Sequence, residues 1–230
     1  MTVWAGIDEA GYGPLLGPLV VAGAAFRVPG RVREGVLWEL LEEAVSQHAS
    51  HSGDRIIVDD SKKVYSSKDG LKRLEDGVLA FVRAASELPR SGGALLNALG
   101  GGVPDSLAPW FRSMPDTELP LGSNVSAVES KVATLHEALR QTGVEVCGLW
   151  AIPVLPKEFN HIVRRTGNKS YLLFQKCGGL LLKAFAVGRD DACHVLVDRH
   201  GGRIRYRKLL RDLHPAMSCD VVREGDDGSV

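Results

Sequence analysis

The chain has 230 residues, is 44% hydrophobic and 24% charged, and sets 28 Lys plus Arg against 28 Asp plus Glu. Such a composition excludes a disordered, fibrous or membrane-embedded chain and leaves room for one large domain or two small ones of roughly 100–200 residues. A formal charge of zero, taken over the whole chain, argues against an overtly basic nucleic-acid binder.

In chain order, Val3 to Asp8 and Gly17 to Phe26 are short runs rich in Val, Leu and Ala, separated by Gly11-Tyr12-Gly13-Pro14. They predict two strands joined by a tight connection. The charge-free stretch Pro14 to Phe26 is interrupted by Pro18 and falls short of the about 20 apolar residues a membrane helix needs. It resembles neither a secretory signal nor an anchor, so the expected address is cytoplasmic, with no membrane partner.

From Ser66, with Asp69 three residues on as a start signal of the capping-box kind, Leu71, Leu74, Val78, Phe81 and Val82 repeat at helical spacing. Residues 86–123 are rich in Gly, Pro and Ser, and loops beyond about 12–15 residues are uncommon in compact domains. This stretch reads as an insertion, followed by a helix over Val125 to Leu139.

Glu145 to Val154 reads as a strand ended by Pro153 and Pro156. Ser170 to Val187 reads as a long helix with Leu173, Phe174, Cys177, Leu181, Ala184 and Phe185 on one face. His194 to Val197 is a short apolar strand that ends on Asp198. A basic helix near Tyr206 to Leu213 follows, and Met217 to Arg223 reads as a final strand. Strands first, then alternating helices and strands, predict a mixed α/β layer fold. The expected organisation is one domain over 1–230, with a core at about 1–85 and 140–230 and an insertion at about 86–139. Cys147, Cys177, Cys193 and Cys219 form no CxxC pair, so they read as buried thiols rather than a zinc site or disulfide framework.

Three features carry chemistry. In Gly6 to Pro14, the carboxylates Asp8 and Glu9 stand where a strand runs into a glycine-rich turn. Consecutive side chains of a regular strand point to opposite faces, so convergence of the two is expected to need a bend, which Gly11 and Gly13 make cheap. Paired acids at a strand end suit hard cations such as Mg²⁺, although an isolated Asp-Glu pair is more often two surface acids. The second feature is Asp59-Asp60-Ser61-Lys62-Lys63 before a helix, whose lysines could meet phosphates or simply be solvated. The third is Asp198 at the end of a buried strand, a usual place for ligand-binding groups in open α/β sheets but equally for a helix-capping Asp. Gly11-Tyr12-Gly13 is not a dinucleotide fingerprint, because the third glycine position is Leu16.

Together and in this order, Gly6 to Pro14, Asp60 to Lys63 and Asp198 resemble the type 2 ribonucleases H, ribonuclease HII above all. The resemblance covers about residues 3–27, 54–85 and 145–225. It implies a ribonuclease H-like fold, a mixed central sheet flanked by helices and here carrying a Gly/Pro-rich insertion. It implies a monomer that cleaves the RNA strand of RNA–DNA hybrids, or of DNA duplexes with embedded ribonucleotides, leaving 3′-hydroxyl and 5′-phosphate ends. Asp8, Glu9 and Asp198 would hold two Mg²⁺ or Mn²⁺ ions; Gly11, Tyr12 and Gly13 would meet the 2′-hydroxyls, and Lys62 and Lys63 the backbone phosphates.

The chain departs from the family in three places, the first being that Asp60 and Asp198 stand much farther apart than the family usually shows, which the Gly/Pro-rich insertion explains. Tyr12 replaces the usual Arg or Lys of the turn, and the family's fourth metal-binding acid belongs to a helix expected beyond Val230. Asp226 and Asp227 match the segment ahead of that helix and are not assigned as ligands. The expectation is therefore a recognisable but incomplete site with weak or no cleavage; a hybrid-binding protein that no longer cleaves is the alternative.

Net charge is also unevenly distributed. Lys157 to Arg211 holds 13 Lys plus Arg and 4 Asp plus Glu, against 15 and 24 elsewhere. One region only is suited to a phosphate backbone.

Overall fold

A computed structural model describes residues 1–11, 17–30, 33–48, 53–65, 68–104, 107–189, 191–198 and 205–213. β1 (Thr2–Ala10) and β2 (Leu19–Val28) form an antiparallel pair in which Val3, Ala5, Ile7, Val21 and Ala25 are buried. After α1 (Val36–Leu40), the two-residue strands β3 (Val45–Ser46) and β4 (Ile56–Ile57) pair in parallel as a separate small sheet. α2 (Ser61–Val64) is a single turn capped by Asp60, whose carboxylate accepts from the Lys62 amide at 2.8 Å.

α3 (Lys72–Ala85) starts six residues after Ser66. Leu71 occupies its N-cap position with no side-chain cap, while Asp69 instead pairs with Arg73 at 2.8 Å; Ser66 lies outside the described residues. The expected face is also displaced. Asp76, Leu79, Ala80 and Val82 are buried, whereas Leu71 and Val78 are 52% and 46% exposed. α3 carries two apolar stripes, one packed into the core and one lining a cleft.

α4 (Gly92–Ala98) and two short 3₁₀ turns occupy the Gly/Pro-rich stretch. Glu75 on α3 accepts from the amides of Leu121, Gly122 and Ser123, and Asp76 accepts from the Ser123 hydroxyl, which ties this stretch to α3. α5 (Val125–Thr142) begins at Asn124, whose side chain accepts from the Ala127 amide, and ends on Gly143 at φ 69°. Val128, Val132, Leu135 and Ala138 of α5 share one core with Leu79, Ala80 and Val28.

β5 (Glu145–Val154) pairs antiparallel with β2 and runs through Pro153 rather than ending there. It is an edge strand of the described sheet, where proline is tolerated. α6 (Pro156–Thr166), unforeseen from the sequence, leads to α7 (Lys169–Val187), which packs against all four strands. Its expected face is buried except for the half-buried Phe185, and Leu172, Gly178 and Leu180 join it.

β6 (Ala192–Val197) lies parallel to β1 and completes the order β5-β2-β1-β6; α8 (Arg207–Leu213) follows. The fold is thus α/β with a mixed four-stranded sheet flanked by helices. No helix among the described residues is long and apolar enough to cross a membrane. Cys177 is buried, but Cys147 and Cys193 are only half-buried, standing on β5 and β6, the edge strands of the described sheet; Cys219 and the strand expected over Met217 to Arg223 lie outside the described residues.

Candidate metal centre

Register decides which side chains meet. Val3, Ala5 and Ile7 face α7; Trp4, Gly6 and Asp8 face the other way, opposite Phe26, Ala24 and Ala22 on β2. On β6 the same face carries His194 and Leu196, paired with Trp4 and Gly6, and the Trp4 and His194 rings stack with centroids 4.8 Å apart. Beyond the last pair, Ile7↔Val197, the Asp198 amide donates to the Ile7 carbonyl at 3.2 Å. That bond carries the alternation one residue further, so Asp198 stands beside Asp8 at the ends of two adjacent parallel strands.

Glu9 belongs by register to the α7 face, yet a ligand oxygen from each of Asp8, Glu9 and Asp198 lies within 4.8 Å of the others. The strand does not bend to achieve this, since pairing with β2 continues unbroken through Ala10↔Val20. The longer Glu9 side chain reaches the other two where the sheet stops, while its amide donates to the Asp8 carboxylate at 2.7 Å. The bend expected at this point is therefore not needed.

Crowding carboxylates has an electrostatic cost. Burial, and then the charges of Asp198 and Asp8, push the Glu9 carboxyl above the usual carboxylate range. Beneath it on α7, burial followed by the charges of Glu9 and Asp8 pushes the Cys177 thiol up to about 12. A divalent cation would relieve this repulsion, and three carboxylate oxygens are the hard-donor set that Mg²⁺ and Mn²⁺ take.

Asp8 and Asp198 also stand at the mouth of a cleft of about 780 Å³. Its floor is the sheet face of Gly6, Ala22, Ala24 and Ala151, kept low by small side chains; its walls are Leu74, Val78 and Phe81 of α3, with Ile57, Asp59 and Val64. Leu99 reaches it from the Gly/Pro-rich stretch, its carbonyl accepting from the Ala151 amide at 3.1 Å on the outer edge of β5. Neither the cleft nor Asp59 as a third acid lining it, beside Asp8 and Asp198, is evident from the sequence. The alternating small residues Gly6, Ala22 and Ala24 are the signal that could have found them.

Gly11 has φ 86°, and a Cβ there would run into the Pro18 carbonyl oxygen, so the chain can leave β1 this way only with glycine. Tyr12 and Gly13 lie outside the described residues. Lys62 and Lys63 are exposed on α2, and Lys63 pairs with Asp59 at 3.0 Å. The structure thus brings Asp8, Glu9 and Asp198 together; Lys62 and Lys63 stand on the turn between Asp59 and Val64, two residues of the cleft wall. No family model matches the chain, and neither does any curated protein or solved structure.

Proposed function

We propose that the chain has a ribonuclease H-like fold and is a metal-dependent endonuclease that hydrolyses the RNA strand of RNA–DNA hybrids, leaving 5′-phosphate and 3′-hydroxyl ends. One observation carries this reading. The three acids singled out by resemblance, 190 residues apart at the extremes, have carboxylate oxygens within 4.8 Å of one another at the ends of two parallel strands.

Asp8 and Asp198 would hold divalent ions between them, and Glu9 would complete the set and position the scissile phosphate. Two such ions, when bound, supply water activation and stabilisation of the leaving oxygen. The side chains then need not act as strong bases. The backbone at Gly11 would meet a ribose 2′-hydroxyl, and Lys62, exposed on α2, would meet a backbone phosphate.

The test is cleavage of an end-labelled RNA–DNA hybrid in Mg²⁺ and in Mn²⁺, compared with DNA duplex and single-stranded RNA. Weak cleavage, confined to the RNA strand of the hybrid, is expected. Asp8→Asn and Asp198→Asn should each lower the rate about 10³-fold, the loss of several kcal/mol of transition-state stabilisation. Metal-independent cleavage, or an unaffected Asp198→Asn, would defeat the assignment; hybrid binding without cleavage would replace it with a binding protein of the same fold.

A further inference from the structure

β5 and β1 are both antiparallel to β2, and Val154 pairs with Leu19 next to the Ala10↔Val20 pair. β5 therefore ends at the same end of the sheet as Asp8 and Asp198, and α6 starts there. Phe159 and Ile162 of α6, Leu172 and Leu173 of α7 and Leu210 of α8 all pack on the cluster containing Ile7. Tyr206, next to α8, lies against Phe174, with centroids 6.4 Å apart. α6, the first half of α7 and α8 are thus gathered at the end of the sheet that carries the carboxylates.

Because Phe159 and Ile162 point inward, Lys157, His161, Arg164 and Arg165 form one exposed stripe on the outer side of α6. Lys208 and Arg211 are exposed on α8. Lys157, Arg164, Arg165, Lys208 and Arg211 have no ion-pair partner among the described residues. The acids on these three helices are Glu158, which Lys176 holds at 2.6 Å, and Asp212. Exposed cations without partners, concentrated beside a carboxylate cluster, fit a polyanion that continues past that cluster.

We propose that the outer faces of α6 and α8 grip the phosphate backbone of a nucleic-acid duplex on either side of the cleaved linkage. This rests on the nuclease reading above and names the surface that holds its substrate.

Binding of a fluorescein-labelled RNA–DNA hybrid, followed by anisotropy in EDTA from 50 to 300 mM salt, tests it without cleavage. R164Q/R165Q and K208Q/R211Q should each weaken binding about tenfold at 0.15 M salt and reduce the slope of log K against log salt by about 2, roughly one for each phosphate left without its cation. R90Q/R112Q, which removes two exposed arginines elsewhere, should change neither. Unchanged affinity and slope in both helix variants would overturn the surface while leaving a cleaving wild type as a nuclease. An equal loss in R90Q/R112Q, or binding to phosphatidylserine vesicles with none to duplex, would overturn it as well. Loss in the helix variants alone, in a protein that cleaves nothing in Mg²⁺ or Mn²⁺, would keep the surface and remove the nuclease reading.

Discussion

Where β1 starts, Arg27 lies between Asp191 at 3.0 Å and Glu145 at 2.8 Å, and the Met1 amine reaches Asp191 at 3.1 Å. Where β1 stops, three carboxylates crowd within 4.8 Å while the cations of α6 and α8 point to solvent. One end of the sheet neutralises its charges internally and so ties strand ends together. The other leaves Lys157, Arg164, Arg165, Lys208 and Arg211 without an ion-pair partner among the described residues, near three crowded carboxylates. Stability alone would favour pairing in both places; charge held apart is what a site needs if an outside cation and an outside polyanion are to complete it.

The contrast can be broken most severely through its apolar support. Leu172 is fully buried against the triad end of the sheet, so Leu172→Ala should cost about 2–5 kcal/mol, read from urea unfolding. An effect below about 1 kcal/mol would mean that α7 does not hold that end. Gly11→Ala attacks the same end through the backbone. A left-handed alanine pressed on the Pro18 carbonyl should cost roughly 2–4 kcal/mol, and a neutral outcome would show that the chain leaves β1 differently.

The charges themselves give smaller effects of opposite sign. Glu9 holds its proton to higher pH in the folded protein than in the unfolded chain. The folded state then binds more protons, and stability falls as pH rises from the ordinary carboxylate range through the raised value. Glu9→Gln should therefore stabilise the metal-free protein at pH 7.

Asp191 behaves in reverse. Its hydrogen bond from the N-terminal amine, together with Arg27, holds its carboxyl below the usual range, so its contribution is present at neutral pH and lost in acid. Asp191→Asn should destabilise at pH 7. Urea midpoints should show Glu9→Gln converging on wild type from pH 8 down to pH 4, and Asp191→Asn converging only below the ordinary carboxylate range, toward about pH 2; shifts of the same sign at pH 7 would dissolve the contrast. Smallest is Gly6→Ala on the cleft floor, where an added Cβ meets nothing within 4 Å; it should raise stability by about 0.4–1 kcal/mol.

The sheet is largely legible in the sequence because β1, β2, β5 and β6 are apolar runs between turn residues, and α7 because its apolar spacing is sustained over five turns. Asp8 and Asp198 are legible as acids at strand ends. Convergence of Glu9 with them is expected for the wrong reason, since the reach of a side chain past the last strand pair has no sequence signal. α6 escapes notice because its inward stripe is only Phe159, Ile162 and neighbours, and Pro156 reads as the stop of a strand although it stands at the first position of a helix, where proline is favoured. The α3 stripe of Leu74, Val78 and Phe81 reads as core although it faces the cleft, because periodicity reports an apolar face and not what lies opposite it.

Mn²⁺ binding, followed by the loss of its free EPR signal, tests the centre most directly. Wild type should take up Mn²⁺ at the triad, Asp8→Asn and Asp198→Asn should each weaken that uptake at least about tenfold, and Asp191→Asn should leave it unchanged. Equal uptake by wild type and both triad variants would contradict the account, whatever else the cleft binds.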